Sequence, residues 1–173
     1  MNSENIFLNY NFNNLVYALS NKLCKFKTKP VIMCLGTDKV IADSLGPIVG
    51  HLLTTKYNIK TYVYGSLKRT VNSTNLPFYF EHINKTHKKQ NLLVVDAGLG
   101  SLENVGKMNI GEGGIIPYNN SYYKKIGDIS ITGIVLEKGL LEKLQLRQTK
   151  LNFVYEMAQV IAKVIYNAYA ITY

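Results

Sequence analysis

The chain has no tryptophan, and only two cysteines, four prolines and three histidines among its 173 residues. Cys24 and Cys34 are too few for a disulfide framework, and they lack a zinc-type spacing. No apolar run approaches the roughly 20 residues of a membrane-spanning helix. The segment Met1-Asn2-Ser3-Glu4-Asn5 lacks the basic and apolar regions of a secretory signal. These absences point to a reducing cytoplasm and away from a membrane. There is no repeat, low-complexity tract or Pro/Ser-rich linker, so a single domain over 1–173 is expected. That length buries a sizeable core without disulfides or metal. Acidic residues are also scarce, with 11 Asp and Glu against 20 Lys and Arg, a net charge of +9. Such an excess invites a nucleic-acid partner. The basic residues are spread, however, with Lys22, Lys25, Lys27 and Lys29 the densest run, and none belongs to a zinc-finger or RNP-type motif. A solvated basic surface accounts for them, and nucleic acid is not an expected partner.

What is present is a strand–helix alternation. Apolar residues at helical spacing predict a helix over Asn14–Leu23. Val31 to Leu35 is a continuous apolar run ended by Gly36, which suits a strand buried on both faces. Gly46-Pro47 opens a helix lined by Ile48, Val49, Leu52 and Leu53, with proline tolerated in its first turn. Ile59 to Tyr64 reads as a second strand and Thr74-Asn75-Leu76-Pro77 as the start of another helix. Leu92 to Val95 is a third buried strand. Gly106–Ile116 reads as a strand with a turn at Gly111, Gly113 and Gly114, and Ile129–Val135 as a strand interrupted at Gly133. Gly139–Leu146 reads as a short helix, and Thr149 as the cap of a long terminal helix with a stripe from Phe153 to Ile165. The pattern predicts an α/β fold, a mostly parallel twisted sheet covered on both faces in three α/β/α layers. Its core spans about residues 30–167, with the helix at about 14–23 packed on it.

Two segments carry the chemistry: Gly36-Thr37-Asp38-Lys39-Val40-Ile41-Ala42-Asp43-Ser44-Leu45-Gly46-Pro47 and Val94-Val95-Asp96-Ala97-Gly98-Leu99-Gly100. Each places an Asp just past the end of a predicted strand, the edge where open α/β sheets bind ligands. Asp43 has two readings, as a helix cap or as a chemical group that leaves the capping to Ser44. Asp96 also has two, as a turn-shaping acceptor for the N–H groups of Ala97 to Gly100 or as a carboxyl raised in pKa at the rim of the core. Two such carboxyls titrate as a pair, one ionised and one protonated, the state a general base and general acid need. Asp38 could orient the pair or bind a cation, but a solvated loop position suits it better. Gly46 allows close backbone approach by another segment or a substrate. His51, His82 and His87 fall on or near helices away from the strand ends, so no metal set is expected beside the pair. Neither the first loop nor any serine matches a P-loop, a dinucleotide fingerprint or a nucleophile elbow.

These two segments, with Gly127-Asp128-Ile129-Ser130-Ile131-Thr132-Gly133-Ile134-Val135, resemble the YyaC family over roughly Pro30–Asn167. That family comprises small proteins of spore-forming Firmicutes related to the spore germination protease. More distantly the chain is similar to the hydrogenase maturation endopeptidases. The resemblance implies a phosphorylase/hydrolase-like α/β/α fold and an atypical aspartic peptidase site. Carried over by motif, the paired aspartates fall on Asp43 and Asp96, with Asp38, Ser44, Gly46 and Gly98 in support. The maturation enzymes bind nickel through an acidic residue where this chain has Ser44, and through a His that would fall near Ile129 or Ser130, so no metal or other cofactor is expected.

The expected function is thus that of a sporulation-associated endopeptidase acting on protein or peptide substrates, spore proteins among them, in the cytoplasm or the developing spore. The alternative is a non-catalytic binding or regulatory module that keeps the peptidase fold. An oligomer is compatible with either reading.

Overall fold

The computed structural model describes residues 11–116, 125–139 and 149–173. Five strands form one sheet: β1 (Val31–Cys34), β2 (Val63–Tyr64), β3 (Leu92–Gly100), β4 (Met108–Glu112) and β5 (Ile129–Glu137). Their spatial order is β2-β1-β3-β5-β4. β2, β1, β3 and β5 are parallel, and β4 runs antiparallel to β5 at one edge. Helices α1 (Phe12–Leu23), α2 (Leu45–Thr55), α3 (Leu76–Thr86) and α4 (Leu151–Thr172) cover the sheet.

Alternation along the buried strands divides the core between the two faces. Ile32, Cys34, Leu93 and Val95 join α1, α2 and α4 in the larger cluster. Val31, Met33, Leu92 and Val94 join Leu76 and Ile83 of α3 in the smaller one. The sheet is therefore the middle of three layers, and α1 packs on it through Val16, Leu19 and Leu23.

Four sequence expectations change. The strand expected over Ile59–Tyr64 shrinks to Val63–Tyr64. The chain before it is tied back to the end of α2, since the Tyr57 and Ile59 N–H groups donate to the Leu52 and Leu53 carbonyls. β5 runs unbroken through Gly133, where a side chain would meet Leu45 and Met157; the glycine admits the helices and does not end the strand. β3 does not stop at Val95 but continues to Gly100, because β5 pairs with it over that whole length. The long terminal helix has Lys150, not Thr149, at its N-cap. The helix expected over Gly139–Leu146 lies, from residue 140, outside the described residues.

α2 sits unusually close to the sheet. A Cβ on Gly46 would collide with the Leu35 carbonyl, and one on Gly50 with the Gly65 carbonyl. Backbone cannot yield as a flexible side chain can. Gly46→Ala is therefore expected to lower stability by about 2 kcal/mol or more. Gly139→Ala, whose added methyl meets nothing within 4 Å, is expected to stay near wild type. Thermal unfolding followed by circular dichroism checks both; equal melting temperatures for the two variants would contradict the close contact.

Candidate active site

The strand order reverses at β1: β2 lies on one side and β3 on the other. In open α/β sheets the chains leaving the carboxyl ends of strands on either side of such a point diverge, and ligands usually bind there. Asp43 and Asp96 lie at this place.

Asp43 arrives on a short 3-10 turn, Ile41–Ser44, between β1 and α2. Its backbone is fixed from two sides. The Asp43 carbonyl accepts the Thr37 N–H at 3.1 Å, and the Asp43 N–H donates to the Val40 carbonyl at 3.0 Å. Gly36, at φ +132°, leaves room for that carbonyl, which a Cβ would strike. The capping reading is not realised. Ser44 occupies the N-cap of α2, makes no side-chain cap bond, and donates its hydroxyl to the Ile41 carbonyl at 2.7 Å. Asp43 is left half-buried, its carboxyl pushed up to about 6 by burial, against a smaller opposing pull from the Thr37 N–H.

Asp96 stands within β3, in register with Thr132 of β5 and one residue past Val95, the partner of the last residue of β1. Its Oδ1 accepts the Ala97 N–H at 2.8 Å. This is the only part of the turn-shaping reading that survives, since Ala97 to Gly100 are extended strand. Burial is the largest influence on Asp96, followed by the charge of Asp43; together they push it up to about 7. The charges act on each other, so the two carboxyls titrate as a pair and neither owns a single pKa. The two side chains are electrostatically coupled.

The supporting positions separate. Gly46 is required by the Leu35 backbone. Gly98 makes way for Thr132, whose Cγ2 would lie 2.5 Å from an added Cβ. Both are packing positions beside the pair. Asp38 is exposed, with no hydrogen bond or ion pair among the described residues. The histidines stay away from the pair. Buried His87 bonds the Tyr64 hydroxyl at 2.9 Å and Gln90 at 2.8 Å. Cys34 is fully buried in β1, its thiol pushed up by that burial. Among the described residues no three His, Cys, Asp or Glu side chains group so as to hold a metal ion, and no helix is long and apolar enough to cross a membrane. Lys22 and Lys25, from the densest basic run, share Glu112 of β4 as an ion-pair partner.

Residues 5–164 match a family described as a protein of unknown function, DUF1256. The chain is also 38% identical over 148 residues to the uncharacterized protein YyaC of Bacillus subtilis (strain 168). The alignment covers 84% of this chain and 72% of that protein. The chain belongs to this family.

Two parts of the site escaped the sequence reading. One is Val71, whose carbonyl takes the Gly36 N–H at 2.8 Å and closes the flank of the first loop. No sequence signal joins Val71 to Leu35. The other is the length of β3, for which a signal exists: Asp96, Gly98 and Gly100 alternate with Ala97 and Leu99, the period of a strand.

The raised carboxyl pKa values make stability depend on pH. Folded Asp43 and Asp96 hold protons that the unfolded chain, with ordinary carboxyls near 3.8, has released. The folded state binds more protons between about pH 4 and pH 7, so stability falls as pH rises through that window. Asp96→Asn removes an ionisable group that burial disfavours. It is expected to raise stability at pH 8 by on the order of 2 kcal/mol and to flatten the slope below pH 7. Urea unfolding at pH 5 and pH 8 checks this; a variant less stable than wild type at pH 8 would contradict it.

Proposed function

We propose that the chain is a peptidase in which Asp43 and Asp96 activate water against a peptide carbonyl. The observation that carries the reading is the coupling of two carboxyls at the topological switch point, a half-buried one pushed up to about 6 and a deeply buried one to about 7. Between those values the pair holds one proton. The ionised carboxylate takes a proton from a water, whose oxygen attacks the carbonyl carbon. The protonated carboxyl then gives its proton to the departing amide nitrogen as the C–N bond breaks. One water is consumed, and an acid and an amine are released.

Family resemblance supports the same assignment, since the germination-protease pattern puts its aspartates on these two positions. The sporulation role, protein substrates from the spore and a cytoplasmic setting are inferred from that resemblance alone. This reading gives Asp38 and Ser44 no part in the chemistry. Asp38 is solvated, and the Ser44 hydroxyl is occupied by the Ile41 carbonyl.

Asp43→Asn and Asp96→Asn should each reduce cleavage of an unfolded protein substrate by at least about a hundred-fold while leaving the circular dichroism spectrum unchanged. The wild-type rate should follow a bell-shaped pH profile centred between the two values. Full activity in both variants would make the pair structural. Absence of cleavage in wild type, with folding intact, would favour the binding-module reading.

A further inference from the structure

We propose that the end of β3 is a docking edge for an extended peptide, which joins the sheet as a strand where β1 stops and so lies against the Asp43–Asp96 pair. What then happens to the peptide rests on the hydrolytic reading above; how it is held does not.

β1 is shorter than its neighbour. Its pairing with β3 ends at Cys34 and Val95, followed by one bond from the Leu35 N–H to the Val95 carbonyl at 2.8 Å. The chain then turns away, its Gly36 N–H going to Val71 and its Thr37 N–H to Asp43. β3 continues to Gly100, paired on its other flank with β5 through a register shift at Gly98/Leu99, after which the Gly100 carbonyl still faces β5.

The backbone groups of a strand point alternately to its two flanks. The Leu92 and Gly100 carbonyls accept from Asp128 and Lys138, on the β5 flank. The Asn91 and Val95 carbonyls accept from Val31 and Leu35, on the β1 flank. Ala97 and Leu99 follow the second set and face the side that β1 has vacated. The Ala97 N–H is taken by the Asp96 carboxylate. The Ala97 carbonyl and both backbone groups of Leu99 have no partner among the described residues.

An extended backbone supplies donors and acceptors at the same two-residue spacing, as in recognition by strand addition. The gap lies inside the sheet, in line with β1, while β2 and β4 are the outer strands. A single extended segment fits such a notch, whereas the edge of a second folded copy would meet β1 and β2 first. The Asp96 carboxyl stands at the head of the open edge, so a strand added there carries its peptide bonds past the pair. Ile41, 39% exposed on the turn after β1, and Leu102, 69% exposed just beyond β3, offer contacts to apolar side chains of the peptide.

The test uses short synthetic peptides rich in apolar residues, each carrying one backbone N-methyl group, with the position moved along the peptide. They are offered to the full chain bearing Asp43→Asn and Asp96→Asn, and binding is read by fluorescence anisotropy. Strand addition predicts affinity losses of about ten-fold or more at every second position. Leu99→Pro, which removes one donor from the open edge, should weaken the unmethylated peptide by a similar factor. The methylation series does not depend on that variant folding. Insensitivity to methylation, or no binding of any peptide, would overturn the proposal. Cleavage by wild type without the alternation would overturn docking and leave hydrolysis standing. Alternating sensitivity without cleavage would do the reverse.

Discussion

Everything at the site depends on how closely α2 approaches the carboxyl end of β1. Four glycines make that approach. Gly36 admits the Asp43 carbonyl, Gly46 the Leu35 carbonyl, Gly50 the Gly65 carbonyl, and Gly65 the Cys34 carbonyl. In each case backbone rests where a Cβ would stand. The consequence is positional: the 3-10 turn has little freedom, and Asp43 is delivered towards β3 instead of outward to solvent. A wider helix–sheet spacing would leave that turn looser.

The same closeness sets the electrostatics. Asp43 and Asp96 rise because burial disfavours their charged forms, and no cation offsets it: no described Lys or Arg forms an ion pair with either. A structural aspartate in such a place would normally be paired or would accept several N–H groups. Asp96 accepts one, from Ala97. The fold thus maintains two carboxyls at a cost in stability near neutral pH, which is the usual mark of residues kept for chemistry.

Much of the architecture was legible in the sequence because buried parallel strands leave a blunt signal. Val31–Leu35 and Leu92–Val95 are apolar on both faces, and the motifs that follow them placed the aspartates at the correct edge. The stripe of α4 was equally plain. Legibility failed where partners from elsewhere decided the outcome. The strand fails to begin at Ile59 because α2 carbonyls take the Tyr57 and Ile59 N–H groups. Gly133 reads as a breaker until Leu45 and Met157 are seen to need its space. Capping at Asp43 was plausible from local spacing and was decided by the turn geometry around Val40 and Thr37.

The unequal lengths of β1 and β3 give the notch its meaning. Had β1 matched β3 to its end, the Ala97 and Leu99 groups would be paired and the Asp96 carboxyl enclosed within the sheet. Had β3 stopped with β1, the pair would sit at a bare rim with nothing to align a substrate. A strand that outruns its neighbour on one flank, while β5 pairs with the other, leaves its last residues without a strand partner on the β1 side among the described residues. Packing against β5 also explains Gly98 and Gly100: Thr132 and Ile134 lean across them where a Cβ would stand. The glycines fix the shelf, the missing length of β1 opens it, and the switch point puts Asp43 above it. The paired carboxyls and the unequal strand lengths therefore share one cause in the topology, the point at which β1 stops short of β3.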